Sequence, residues 1–149
     1  MKQYNNYTAD DFTFVVCAYQ ECEYLEEAIR SVKEQTLCAK ILISTSTPND
    51  FIQGIADRYD IPVCVNRDGG QIKDYNFAMA LPETPLMMLM HQDEILAPAF
   101  LEKVIDALNH AKDPIIAFTN YLEMHNDEVD KKPSTMVRIK RMLLWPSLV

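Results

Sequence analysis

Residues 12–36 read FTFVVCAYQECEYLEEAIRSVKEQT, and their reading decides the fold. The first seven are an unbroken apolar, β-rich run, FTFVVCA. A polar turn, Tyr19-Gln20-Glu21, follows, and then Leu25, Ala28, Ile29 and Val32 recur at helical spacing on an otherwise charged segment. A strand that stays apolar along its whole length has both faces covered, which belongs to parallel sheets with helical crossovers and not to half-exposed antiparallel ones. The segment is therefore strand, turn and amphipathic helix.

The alternation continues outward from there. Residues 40–44 (KILIS) form a second strand, and Thr47-Pro48-Asn49-Asp50 reads as a helix start, with Thr47 as cap and Pro48 in the first turn. Ile52, Ile55, Ala56 and Tyr59 give that helix its apolar stripe. Residues 62–66 (PVCVN) make a third strand, Asp68-Gly69-Gly70 a turn, and residues 73–80 a short helix. Residues 86–90 (LMMLM) are a fourth strand, and Leu101, Val104, Ile105 and Leu108 mark the next helix. Residues 114–120 (PIIAFTN) read as a fifth strand, and residues 124–134 as a polar loop. Right-handed crossovers then give an α/β, Rossmann-like architecture: a mainly parallel sheet with helices on both faces.

A chain of 149 residues is long enough for one domain with its own core. Hydrophobic residues at 48% and charged residues at 24% are ordinary for a soluble globular protein, and no apolar run nears the roughly 20 residues of a membrane span. The polar start, MKQYNNYTADDF, is unlike a secretory signal, so a cytoplasmic location is expected. Cys17, Cys22, Cys38 and Cys64 show neither a C-x-x-C pair nor metal-ligand spacing, and with Cys17 and Cys64 inside apolar runs the expectation is of reduced, buried thiols. Charge is uneven: residues 131–149 carry Lys131, Lys132, Arg138, Lys140 and Arg141 and no acid, so all 22 acids lie in the first 130 residues. An acidic body argues against nucleic acid as a partner.

In open α/β sheets, ligands bind beyond the carboxyl ends of the strands, where strand order reverses. Polar clusters fall at those ends: Tyr19-Gln20-Glu21, Ser44-Thr45-Ser46, Arg67-Asp68-Gly69-Gly70 and His91-Gln92-Asp93-Glu94. Two readings of the last cluster compete. In one, Asp93 and Glu94 are solvated loop acids. In the other, Asp93, with His91 or Glu94, holds Mg2+ or Mn2+, hard ions that take one or two carboxylates and leave the rest to water and phosphate. Such an ion neutralises charge developing on a departing diphosphate. Met87, Met88 and Met90 read as core filling, and His110 and His125, without ligand spacing, as surface residues. Neither G-x-G-x-x-G nor a P-loop is present.

Taken in order, FTFVVCAYQECEYLEEAIRSVKEQT, KILISTSTPND, GGQIKDYNFAMA and LMMLMHQDEILAPAFLEKVIDAL resemble the family 2 glycosyltransferases over about residues 12–121. The resemblance implies a GT-A fold that binds a nucleotide-diphospho-sugar donor and passes the sugar, usually with inversion, to an acceptor it does not specify. By position, Ala18, Tyr19 and Glu21 would line the nucleoside pocket. Gly70, Asp74 and Asn76 would border the donor phosphates and sugar, with Tyr75 where the family has arginine. Gln92 falls within the metal motif, where it would border the donor. Asp93 matches the second aspartate of the D-x-D metal motif and His91 the first. Ser44 and Thr45 stand where the family has acids that contact the base; a turn leading into the next helix is the competing reading for them.

The resemblance divides the chain into an N-terminal extension (1–11), a nucleotide-sugar-binding domain (12–123), and a polar loop with a basic tail (124–149). No motif selects a catalytic base among Asp127, Glu128 and Asp130, and none is assigned. The apolar ending, MVRIKRMLLWPSLV, suggests the donor-binding half of a longer transferase, incomplete for catalysis alone. In the tail, Met136, Ile139, Met142 and Leu143 alternate with Arg138, Lys140 and Arg141. That pattern suits a basic amphipathic helix at a membrane surface, or one that packs on an acceptor half. The alternative to an enzyme is a non-catalytic module of the same fold that contacts a partner or a membrane through this tail.

Overall fold

The computed structural model describes residues 2–125, 128–130 and 132–144. Strand β1 (Phe12–Ala18) is the expected apolar run, and it is buried because it is central. It pairs in parallel with β2 (Lys40–Thr45) on one side and β4 (Leu86–His91) on the other, and β2 pairs in parallel with β3 (Val63–Val65). The order is β3-β2-β1-β4. The chain thus steps outward from β1 to β3 and returns to the far side of β1 for β4, which puts the reversal of strand order between β1 and β4.

Alternation along β1 divides its side chains between two faces. Phe12, Phe14, Val16 and Ala18 enter the main core with Leu25, Ala28, Ile29 and Val32 of α1 (Leu25–Lys33). Ile52, Ile55 and Ala56 of α2 (Asp50–Tyr59) and Leu101, Val104, Ile105 and Leu108 of α4 (Phe100–His110) complete it. Thr13, Val15 and Cys17 face the other way, toward the side on which α3 (Gln71–Ala80) packs on β1, β2 and β4. Helices therefore cover both faces. The expected apolar stripes of α1 and α4 are the buried ones, as is that of α2 apart from its half-buried Tyr59.

Polar side chains tie the helices together. Gln35, only 6% exposed, donates from Nε2 to the carbonyls of Ser31 (2.9 Å) and Ala97 (2.8 Å), and its Oε1 accepts from Leu101 N–H (3.0 Å). One carboxamide thus joins the end of α1 to the start of α4. The N-terminal extension is strapped to the other end of α4, where Asn5 Nδ2 donates to the carbonyls of Leu108 (3.0 Å) and Ala111 (2.9 Å). On the surface Arg58 and Tyr59 of α2 both donate to the Glu26 carboxylate of α1.

Two expectations fail within the first 120 residues. Helix α2 is capped by Asn49, whose Oδ1 accepts from Ile52 N–H at 2.8 Å, and not by Thr47. The Thr47 hydroxyl is engaged elsewhere, accepting from Gln20 N–H at 2.6 Å. Residues 114–120 form no strand, and Ile115, Ile116 and Phe118 are exposed. An apolar run becomes a strand only when a neighbour completes its ladder, and no strand among the described residues pairs with this one.

The chain separates into two compact units, one up to Pro114 and one from Ile115. The second holds an antiparallel hairpin of β5 (Met124–His125) and β6 (Glu128–Val129), followed by α5 (Thr135–Leu144). The helix agrees with the amphipathic reading of the tail, and Met136, Ile139 and Met142 are exposed on it. The hairpin lies where a loop was expected. Among the described residues, no helix is long and apolar enough to cross a membrane.

Candidate functional site

The strand ends at the reversal of order open into a cleft of about 450 Å³. That is the size of a small-molecule site. Register explains what meets there: Cys17 lies level with Ser44 on β2 and with His91 on β4, and Ala18 with Thr45. Of the residues singled out from sequence, Ala18, Tyr19, Ser44, Thr45, Gly70, Asp74, His91, Gln92 and Asp93 line the cleft. Glu21 and Asn76 do not; both are exposed outside it. Gln20, held in the left-handed region at φ 55°, turns the chain before Glu21, and Asn76 lies a helical step past Tyr75 on α3.

Cys17, Ser46, Gln71 and Tyr75 line the cleft as well, without having been singled out. Tyr75 carried a signal, since it replaces an arginine in the pattern the chain resembles. Its ring meets the His91 imidazole edge to face, with centroids 5.7 Å apart. Two of the residues that depart from the pattern are thus in contact. Cys17 faces the cleft by strand alternation. Its thiol is pushed up to about 11, first by burial and then by the negative charges of Asp74 and Glu94. It is no nucleophile at neutral pH.

Asp74 is fixed from two directions. Its Oδ2 accepts from Ser46 Oγ (2.8 Å) and its Oδ1 from Asn66 Nδ2 (2.7 Å), which ties α3 to the ends of β2 and β3. Thr45 Oγ1 accepts from Thr47 N–H at 3.0 Å, so this hydroxyl closes the turn after β2 while still lining the cleft. Glu94 is likewise committed to its loop, with Oε2 accepting from His91 N–H at 3.0 Å.

Asp93 differs from both. Its carboxylate is at the exposed rim, with no hydrogen bond or ion pair among the described residues. Among the described residues, no lysine or arginine lines the cleft. An unspent carboxylate beside an imidazole suits a hard divalent ion whose remaining ligands come from phosphate and water. At the far side, Gly69 and Gly70, at φ 58° and 103°, lead into the first turn of α3, whose backbone amides are a further place for negative charge.

A second set of ligating side chains occurs in the later unit: Glu123, His125 and Asp130, with donor atoms within 4.8 Å of one another. Linear spacing gave no hint of it for His125. Strand pairing creates it, since Asp130 N–H donates to the Glu123 carbonyl at 2.9 Å and brings the two carboxylates opposite each other. Glu123 also accepts from Ser134 Oγ. Of the three acids considered as bases, Asp127 lies outside the described residues, and Glu128 and Asp130 belong to this hairpin region.

The family model described as Glycosyl transferase family 2 matches residues 13–147. No curated protein matches the chain closely enough to be called a relative.

Proposed function

The chain belongs to glycosyl transferase family 2, and from that premise we propose that its cleft binds a nucleotide-diphospho-sugar with Mg2+ or Mn2+ and passes the sugar, with inversion, to an acceptor. The observation that supports the proposal is the charge of the cleft: among the described residues, an Asp93 carboxylate without a hydrogen bond or ion pair, and no basic side chain. A diphosphate brought there would meet negative charge, so a divalent cation must come with it.

The residues then divide by position. Ala18 and Tyr19 take the nucleoside, Tyr19 offering a half-exposed ring for the base to lie on. Ser44 and Thr45 lie level with this end, where hydroxyls hydrogen-bond a base through either edge. Gly70 and the first turn of α3 receive phosphate oxygens, and Asp74, held by Ser46 and Asn66, faces the sugar hydroxyls. Asp93 holds the ion, with His91 beside it. The ion's contribution is to stabilise negative charge on the leaving diphosphate.

Calorimetric titration with uridine, guanosine, thymidine, cytidine and adenosine diphosphates, with and without Mn2+, tests the reading on wild type and Asp93→Ala. At least one nucleotide binds in the presence of Mn2+, and Asp93→Ala weakens it at least about tenfold, since losing even a group that only supports a metal ligand costs that much. Absence of binding by every nucleotide overturns the proposal. The family's non-catalytic alternative is favoured by a single feature, the exposed Met136, Ile139 and Met142 on a helix that also contains Arg138. Sedimentation with anionic vesicles, with and without residues 131–149, tests it separately.

A further inference from the structure

We infer that Gln92 is a positioning residue that sets Tyr19 for the nucleoside and is not itself a contact to the donor; the inference rests on the nucleotide-sugar reading above. Strands β1 and β4 pair through their backbones as far as Cys17 and His91. Beyond that pair the side chain of Gln92 takes over. Its Oε1 accepts from Tyr19 N–H at 2.8 Å, and its Nε2 donates to the Tyr19 carbonyl at 3.1 Å. A carboxamide carries the same donor and acceptor as a peptide group. Gln92 therefore adds one more rung to a ladder whose backbone has already ended.

No other side chain of this length does the same. Glutamate keeps the acceptor but turns a charge toward the Tyr19 carbonyl, and asparagine is one methylene shorter. The next amide in the turn is held from the other side, Gln20 N–H donating to Thr47 Oγ1 at 2.6 Å. Gln20 is left-handed at φ 55°, a conformation that a residue with a Cβ adopts at a cost and keeps where its surroundings enforce it. The Tyr19 and Gln20 main chain is thus gripped by the loops after β4 and β2. Tyr19 itself, which lines the cleft, is left 54% exposed. A rigid backbone under an uncovered aromatic ring is the arrangement that lowers the ordering cost of stacking a ligand. The Gln92 carboxamide meanwhile has one N–H and its oxygen committed to Tyr19.

The test is a double-mutant cycle on nucleotide binding with the tightest nucleoside diphosphate of the panel in Mn2+, using Gln92→Ala, Tyr19→Ala and the double variant. Gln53→Ala, an exposed glutamine on α2, serves as a matched control. If Gln92 acts through Tyr19, each single change weakens binding about tenfold and the double is no weaker than the worse single. Gln92→Glu, which keeps the acceptor, falls between wild type and Gln92→Ala. Additive losses in the double variant overturn the inference, because Gln92 then touches the ligand directly. Unchanged binding in Gln92→Ala overturns it too. Amide exchange at Tyr19 reads the same bond without any ligand, so a failure of wild type to bind nucleotide overturns the proposed function and still leaves this inference decided. Exchange about tenfold faster in Gln92→Ala supports it, and unchanged protection sinks it.

Discussion

Two glutamines in this molecule do similar chemistry in different places. Gln35 and Gln92 each use a carboxamide to hold backbone groups contributed by another segment. Gln35 does so at 6% exposure beneath the helices, bridging α1 to the start of α4. Gln92 does so at the edge of the cleft, where water reaches it. Burial decides what each clasp is for. Removing the buried carboxamide takes the partner from buried groups, the Ser31 carbonyl and the Leu101 N–H, whereas at the cleft water replaces the lost partner and only geometry suffers.

The largest expected effect breaks the buried clasp. Gln35→Ala leaves the buried Ser31 carbonyl and the Leu101 N–H without their side-chain partner and should cost about 3 kcal/mol. For a chain of this size that lowers Tm by about 10 °C. Nucleotide affinity measured well below Tm should be unchanged, because Gln35 does not line the cleft. Gln92→Ala should show the reverse, with a stability loss of about 1 kcal/mol or less and a clear loss of affinity. If the two variants lose stability equally, the contrast between them is wrong.

A smaller effect sharpens the same contrast at α2. Asn49→Ala removes a true cap and should cost about 1 kcal/mol, read by chemical denaturation. Thr47→Ala should cost less in stability and more in nucleotide affinity, because Thr47 steadies Gln20 beside the cleft. Equal stability losses would mean that Thr47 takes part in the cap after all.

These pairs also mark how far the sequence could be read. The strand β1 and the stripes of α1 and α4 were legible because periodicity depends on the covering of a face, a property each segment carries within itself. The strand ends were legible as a cleft for the same reason, since parallel order sends every polar turn to one edge. Residues 114–120 misled because an apolar run records an appetite for burial and says nothing of whether a partner strand is present. Thr47 and Asn49 are both good capping types two residues apart, and only the path of the chain distinguishes them. The bonds from Gln35 to Leu101 and from Gln92 to Tyr19 cross 66 and 73 residues, beyond the reach of any local pattern. The Glu123, His125 and Asp130 group arises from strand pairing in the same way.

The smallest effect concerns Cys17, the one cleft residue whose chemistry is set by its surroundings more than by its own bonds. Burial first, and then the repulsion of a thiolate by the Asp74 and Glu94 carboxylates, together raise the thiol to about 11. The folded value lies above the ordinary 9.0, so stability linked to this group is intact below pH 9 and is lost as pH rises through 11. Alkylation by iodoacetamide at pH 9 should therefore modify exposed Cys38 well before Cys17. Asp74→Asn removes the second cause and leaves the first. Cys17 should then react a few-fold faster and still lag behind Cys38, since burial outranks charge in the shift. Equal rates for Cys17 and Cys38 in wild type would show that water enters the cleft freely. A change in Asp74→Asn as large as the whole difference from Cys38 would make the cleft's negative charge its dominant feature, and would strengthen the case that an anionic ligand enters only with a cation.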